Sequence, residues 1–199
     1  MPPPKQRTPE LGDRILSAAI GVLAEDGVAG LTARRVAREA RTSPPAVYEL
    51  FGDKGGLVRA IFFEGFRMLF RRLEGAVTAD GPEALRQIAL ELRSFIGDNA
   101  ELARVMFERP FADFDPGPQD LAAGAAVREF ITGRVARCAE SGVIAADPTD
   151  ASHVLIGLVL GLAAQESAGW LGRSAASADR RWALGIEVLL GGLGRPLPP

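Results

Sequence analysis

The 199-residue sequence has a single cysteine, Cys138, and a single histidine, His153. It therefore forms no internal disulfide and has no second cysteine for a zinc ligand set, which is typical of a reducing compartment such as the cytoplasm. We expect Cys138 to be a partly buried, inert thiol rather than a redox sensor. We expect His153 to lie on a helix surface or in a hydrogen-bonded interface rather than to serve as a ligand or pH switch.

Long hydrophobic runs are also missing. The longest spans residues 154–164, or 11 residues, whereas a membrane span needs roughly 20. This predicts a buried helix and no membrane partner. Residues 1–10 lack the apolar stretch of a secretory signal and are predicted to be a flexible basic arm, and residues 195–199 a frayed tail.

Motifs for catalysis or cofactor binding are absent. The sequence contains no nucleophile elbow, phosphate-binding loop or zinc-ligand spacing. Asp113, Asp115 and Asp120 lack the glycine and distal glutamate of a calcium loop, so ordinary loop chemistry is the better interpretation. We expect no enzyme activity, no cofactor and no metal.

Alternating strand patterns are scarce, and apolar residues recur at helical spacing instead. In the first predicted helix, residues 13–26, Ile15, Ala19 and Val22 share one face, and Gly27 is placed to end it. This predicts an all-α fold. Further helices are expected near residues 32–40, 43–52, 53–77, 83–97, 100–109, 121–141, 148–171 and 178–190.

The formal charge of −2 is unevenly distributed. Residues 1–74 contain 12 lysines and arginines against 9 acidic residues, a net charge of +3, and the remainder carries −5. A basic balance at one end favours a nucleic-acid partner for that end. Arg71 and Arg72, at its edge, are predicted to lie on a solvated helix face.

Two short helices joined by a tight turn make up residues 32–52. Thr32 is a good N-cap for the first, and Ser43 with Pro44 begins the second. Gly52 ends it, and Asp53 can cap a long fourth helix. This is the arrangement of a helix-turn-helix, whose second helix enters the major groove of DNA.

The stretches Leu31–Ala40 and Ser43–Leu57, with Ala18-Ala19 and Gly27, resemble the TetR family of bacterial repressors. The resemblance covers about residues 14–61 and implies a helix-turn-helix domain at residues 11–57. An effector-binding and dimerisation domain would follow at residues 58–194.

The resemblance implies phosphate contacts for Thr32, Tyr48 and Lys54. Tyr48 is the only tyrosine, and Lys54 is one of two lysines beside 21 arginines. Base contacts would fall to Arg34 and the segment from Ser43 to Ala46. The complete predicted DNA-binding set is Thr32, Arg34, Arg35, Ser43, Pro44, Pro45, Ala46, Tyr48 and Lys54.

Three positions depart from the family pattern. Arg41 stands where a glycine is usual in the turn, so either the arginine accepts a positive φ or the turn differs. Pro45 also replaces a frequent glycine, and Leu50 a frequent histidine. These departures bear on sequence preference more than on the fold.

Two further sets are predicted for the C-terminal domain. The candidate effector pocket, for a small hydrophobic or aromatic molecule, consists of Phe62, Phe66, Phe95, Met106, Phe107, Phe130 and Trp170, and a plain core is the alternative for about half of the aromatic and sulfur residues there. The candidate interface of a homodimer consists of Val154, Leu155, Leu158, Leu162, Trp182, Ile186 and Leu189.

The sequence therefore predicts a homodimeric transcriptional repressor that binds a palindromic double-stranded DNA operator and is released by its effector. A helical small-molecule binding protein without DNA function is the alternative. Phosphate contacts distinguish the two, because they make binding strongly salt-dependent.

Overall fold

The structure is a computed structural model, and it describes residues 8–108, 117–172 and 174–195. Most of the predicted N-terminal arm and C-terminal tail lies outside these residues, as do Asp113 and Asp115 of the acidic loop. Within the described ranges, no group of histidine, cysteine and carboxylate side chains is arranged to hold a metal ion. No helix there is both long and apolar enough to cross a membrane.

The described residues form helices and no strands, which confirms the all-α prediction. The helices are α1 (Pro9–Gly30), α2 (Ala33–Glu39), α3 (Pro44–Phe51), α4 (Lys54–Ala76), α5 (Gly81–Asp98), α6 (Ala100–Phe107), α7 (Pro118–Leu121), a 3-10 helix (Ala122–Gly124), α8 (Ala125–Glu140), α9 (Pro148–Ser167) and α10 (Ala175–Leu193). Gly27 interrupts α1 with a φ of 65°, at the predicted break. The single helix predicted for residues 121–141 is instead divided among α7, the 3-10 helix and α8.

Short polar side chains define the beginnings of the helices. The Thr32 hydroxyl accepts a hydrogen bond from the Arg35 amide at 3.2 Å, and the Asp53 carboxylate accepts one from the Gly56 amide at 2.8 Å. Asp147 caps α9 in the same way through the amides of Thr149 and Asp150. These bonds satisfy amides that have no partner in the first turn of a helix, so each helix begins where the sequence places its cap.

The chain divides into two compact units. Unit 1 consists of residues 1–67 and 99–123, in which α1 packs on α2 and α6, and α2 packs on α3. Its core contains Ile15, Leu23, Leu31, Val36 and Ile61, each fully buried. Burial of these side chains holds the short helices α2 and α3, which are too short to be stable alone.

Unit 2 consists of residues 68–98 and 124–199, in which α5, α8, α9 and α10 pack together. Trp182 of α10 is fully buried there, and its indole Nε1 donates a 2.7 Å hydrogen bond to Glu166 of α9. Arg93 of α5 forms a bidentate pair with the same carboxylate and lies 5.1 Å from the centre of the Trp182 rings. One polar cluster thus joins three helices of unit 2.

The units differ from the predicted division after residue 57. The first part of α4 belongs to unit 1, because Gly65 allows α6 to approach closely: a Cβ added at Gly65 would lie 2.6 Å from Met106 Sδ. Sequence periodicity does not show this contact, which joins segments about forty residues apart. The functional boundary at residue 57 stays a prediction.

Three single-residue predictions have clear outcomes. Arg72 does not lie on a solvated face: its guanidinium pairs with Glu91 at 3.0 Å and Asp98 at 2.8 Å, carboxylates that α5 brings to it. Cys138 is buried, and this burial raises the pKa of its thiol, so the unreactive protonated form is favoured. His153 is exposed, with its Nδ1 2.8 Å from the Thr149 carbonyl oxygen, as expected of a helix-surface histidine.

The polar cluster of Arg93, Glu166 and Trp182 predicts that the stability of the protein depends on pH. The hydrogen bonds from Arg93 lower the pKa of Glu166 below its ordinary value of 4.5. Its contribution to the free energy of unfolding is therefore present above about pH 4.5 and is lost as the pH falls through the lower, folded-state pKa. Urea unfolding of the wild type and of Glu166→Gln between pH 3 and 7 should give curves that converge at the acid end. A constant difference over this range would contradict the prediction.

Candidate nucleic-acid interface

The sequence-predicted phosphate contacts come together around one cavity of unit 1. The cavity has a volume of about 200 Å³. Its lining includes the side chains of Thr32 before α2, Tyr48 of α3 and Lys54 at the start of α4. Thr32 and Lys54 are exposed, and Tyr48 is 51% exposed although it is a large aromatic residue. A hydroxyl, a phenol and an ammonium group at one surface suit an anion of several oxygens.

Local geometry explains why these three side chains converge. Leu31, Val47 and Leu57 form the apolar wall of the cavity and are buried, which anchors α2, α3 and α4 beside one another. Gly52 ends α3 with a φ of 79°, and Asp53 caps α4 directly afterwards. Only two residues therefore separate α3 from α4, and Lys54 lines the same cavity as Tyr48.

The amino end of α3 is the candidate for base contacts. Ser43 precedes α3 in extended conformation, and Pro44 and Pro45 open the helix. Pro45 is exposed, whereas the side chain of Ala46 is buried. Ala46 therefore presents no methyl group to a ligand, and the predicted contacts at this end are left to Ser43, Pro44 and Pro45.

Arg35 is engaged inside unit 1. Its guanidinium lies 2.9 Å from each of Glu25, Asp26 and Glu39, and the hydrogen bond to Asp26 is the main cause of its raised pKa. All of its nitrogens have carboxylate partners, so the predicted DNA contact for Arg35 is corrected. The spacing along α2 shows only an outward arginine; the carboxylates of α1 come beside it through folding.

Arg34 and Arg38 remain exposed on α2. In the part of the chain that the structure describes, neither makes an ion pair. Arg41 in the turn is also exposed, and its φ of 52° is the only positive value among described residues other than glycine. Of the two alternatives that the sequence left open, the arginine therefore accepts a positive φ, a conformation that costs roughly 1–2 kcal/mol in a residue with a Cβ.

Two family models match the sequence. A model described as bacterial regulatory proteins of the tetR family matches residues 15–61. A model described as tetracyclin repressor-like C-terminal domains matches residues 85–189, which is more than half of the chain. The chain belongs to the TetR family. It is therefore a DNA-binding transcriptional regulator rather than an enzyme, in a family whose members bind DNA and small-molecule effectors as dimers.

Several solved structures share the fold over nearly the whole chain. A protein of unknown function from Rhodococcus sp. RHA1 has a TM-score of 0.81 at 26% identity, over 98% of this chain and 100% of that one. FadR from Bacillus subtilis, in complex with stearoyl-CoA, has a TM-score of 0.71 at 18% identity, over 91% and 98%. A TetR variant from Acinetobacter baumannii AYE, in complex with minocycline, has a TM-score of 0.60 at 21% identity, over 89% of this chain and 93% of that one. No curated protein sequence matches this chain.

The residues predicted for a TetR effector pocket fall in both units. In unit 1, Phe62, Phe66 and Phe107 form an edge-to-face series with ring centroids 5.1 and 5.9 Å apart, and Met106 is buried. In unit 2, Phe95 is buried and Phe130 packs edge-to-face on Phe70 at 6.1 Å. Trp170 is 77% exposed, so the structure places it on the surface of the chain.

The predicted TetR dimer set is also divided by the structure. Leu155, Trp182 and Ile186 are buried within unit 2, which leaves them no area to offer a second copy. Leu158, Leu162 and Leu189 are half-buried, and Val154 is 52% exposed. Sequence analysis missed Leu184 and Val188 of α10, which are 64% and 66% exposed. Their spacing of four residues is a signal that it could have used.

Proposed function

We propose that this TetR-family regulator is a cytoplasmic repressor that binds a palindromic operator as a homodimer. A small hydrophobic effector then lowers its affinity for the operator. The observation that carries the DNA-binding part is the convergence of Thr32, Tyr48 and Lys54 on one cavity beside α3. These groups would hold a backbone phosphate and fix the register of α3 in the major groove.

Base contacts would come from the amino end of α3 and from Arg34. An arginine donates two parallel hydrogen bonds to guanine, whereas Pro44 and Pro45 offer only apolar contact, for example to a thymine methyl group. Ser43, which makes no side-chain cap hydrogen bond, retains a hydroxyl for a base or phosphate. The operator preference would thus depend on few hydrogen bonds and on shape.

The effector is proposed to be hydrophobic or aromatic. Unit 1 contains a series of three phenylalanines in edge-to-face contact, and unit 2 contains a pair. Two structural relatives bind stearoyl-CoA and minocycline, respectively, and both molecules present large apolar surfaces. Apolar and aromatic side chains are the usual lining of such sites.

Coupling between effector and DNA is proposed to run through α4. Within unit 1, α4 meets α6 at Gly65, and Arg59 of α4 pairs with the buried Asp120 of α7 at 2.9 Å. A displacement of α6 and α7 would therefore be transmitted to the helix that begins at Lys54. A coupling free energy of about 1–3 kcal/mol changes operator affinity roughly 5- to 150-fold.

The dimer is proposed to form through the exposed apolar face of α9 and α10, which contains Val154, Leu184 and Val188. Two-fold symmetry would place the recognition helices about 34–36 Å apart, or a multiple of that, on two half-sites. A palindromic operator follows from this symmetry.

Salt-dependent DNA binding tests the proposal. The probe is a DNA duplex from the region upstream of the protein's own gene. Its affinity for the protein is measured by gel shift at salt concentrations from 50 to 200 mM. Lys54→Ala should reduce the slope of log affinity against log salt by about 2, because each dimer loses two phosphate contacts worth about 0.9 each. Tyr48→Phe removes an uncharged donor, so it should weaken binding with little change in slope.

Arg137→Ala, at an exposed arginine of α8, is the charge-matched control and should bind as the wild type does. Stearoyl-CoA and minocycline serve as trial effectors in the same assay. Unchanged binding by both Lys54→Ala and Tyr48→Phe would refute the assigned contacts. A wild-type protein that binds either trial ligand but no duplex would favour the binding protein without DNA function.

A further inference from the structure

The turn between α2 and α3 holds an arginine where the backbone favours glycine. Arg41 has a φ of 52°, and every other positive φ among the described residues belongs to a glycine. The backbone bonds of the turn, such as Thr42 N to Ala37 O at 2.8 Å, need no side chain at position 41. Strained backbone conformations occur most often at functional sites, so the strain at Arg41 suggests a function for its side chain.

The Arg41 guanidinium is exposed and has no ion-pair or hydrogen-bond partner within residues 8–108, 117–172 and 174–195. Elsewhere in unit 1, Arg35, Arg59 and Arg104 each pair with carboxylates. The carboxylate of Glu39, two residues before Arg41, is already bound to Arg35. Arg41 therefore keeps all five of its donors for an external acceptor.

Arg41 also follows two exposed arginines of α2. Arg34 and Arg38, four residues apart, lie on one side of α2, and Arg41 lies in the turn two residues after the helix ends; all three are exposed. At 1.5 Å per residue, Arg34 and Arg38 are roughly 6 Å apart along the axis of α2, so with Arg41 they form a group of exposed positive charges close together in sequence. Like charges at this spacing repel one another, so an extended polyanion is the partner that best compensates them.

The position of Arg41 beside the recognition helix decides which part of DNA it meets. Arg41 precedes Pro44, the first residue of α3, by three residues. The amino end of this helix points into the major groove, and the phosphate backbone runs along the edges of that groove. We propose that Arg41 binds a backbone phosphate of duplex DNA at this edge, without regard to base sequence; this assignment rests on the proposed DNA-binding function.

The test uses the full chain with Arg41→Gly, and fluorescence anisotropy with two duplexes: the upstream fragment and a scrambled duplex of equal length. Between 50 and 200 mM salt, the slope of log affinity against log salt should decrease by about 2 for the dimer. Binding at 0.1 M salt should weaken about 60-fold on both duplexes, because two contacts of slope 0.9 are lost. The thermal midpoint should be equal to or above that of the wild type, since glycine relieves the strained turn.

Two variants serve as matched controls. Arg41→Lys keeps the charge and should keep the wild-type slope. Arg180→Gln removes an exposed arginine of α10 that makes no ion pair within the described ranges, and it should bind both duplexes as the wild type does.

Each remaining outcome overturns the proposal. Wild-type slope and affinity for Arg41→Gly would show that the arginine meets no phosphate. Weakened binding to the upstream fragment alone would indicate a base contact, and a lowered thermal midpoint would indicate a structural role. A wild-type protein that binds neither duplex would overturn the proposed function itself, which is a different result from wild-type binding that Arg41→Gly leaves unchanged.

Discussion

Replacing Gly56 with alanine is expected to destabilise the protein by about 3 kcal/mol or more and to weaken DNA binding at least 10-fold. Gly56 lies in the first turn of α4, where an added Cβ would overlap the carbonyl oxygen of Phe51 at the end of α3. Both atoms belong to backbone or to Cβ, so no side-chain rotation relieves the overlap. The two helices must separate, which is a large overpacking effect. Tyr48 and Lys54 would then separate as well.

Gly21→Ala is the matched control for Gly56→Ala. Gly21 lies in α1 of the same unit, and a Cβ there meets no atom within 4 Å. This variant should be more stable than the wild type by about 0.5–1 kcal/mol, because alanine is the better helix former. Urea unfolding followed by circular dichroism, with anisotropy on the upstream duplex, measures both effects. Equal stability of the two variants would contradict the predicted overlap of Gly56 with α3.

Trp182→Ala is expected to cost about 3–5 kcal/mol of stability, with a fall in the thermal midpoint on the order of 10 °C. Trp182 is fully buried in unit 2 and donates its indole hydrogen to Glu166. The alanine leaves a cavity and removes the ring against which Arg93 packs. Trp182→Phe retains most of the ring and should lose less, chiefly the hydrogen bond.

Val188→Asp distinguishes the loss of core packing in Trp182→Ala from the loss of a dimer contact. Val188 is 66% exposed on the same helix, so a charge there leaves the core intact but opposes contact with a second copy. Sedimentation should show that Val188→Asp dissociates into monomers, and circular dichroism should show that its helicity is retained. The protomer concentration is held fixed because the apparent stability of a dimer depends on it. A Trp182→Ala protein that dissociates while each chain stays fully folded would place Trp182 at the interface instead of the core.

Local chemistry made much of unit 1 predictable. Thr32, Asp53 and Gly52 act on backbone groups within three residues, so their effects on helix ends can be inferred from adjacent sequence. The apolar spacing of α1 predicted its buried face in the same way. The division of residues 118–140 into separate helical segments was missed, although Pro118 marks the first of them.

The partners of side chains that point away from their own helix were less predictable. Arg35 and Arg72 both looked free from their own helices, yet each is held by carboxylates of a neighbouring helix. On α9 and α10 the small and aliphatic residues occur on more than one face. Which face is buried depends on the other helices of unit 2, so Leu155 and Ile186 were assigned to the dimer interface although they are buried within the chain.

The amino-acid sequence by itself determined the all-α class, the ends of the short helices and the family, because these depend on periodicity, caps and motifs within a few residues. It also determined that an arginine occupies the turn before α3. Only the tertiary structure decided that Arg35 is paired, that Arg41 has no partner among the residues the structure describes, and that Trp182 lies in the core. Ion pairing and burial depend on side chains distant in sequence, and folding alone brings those side chains together.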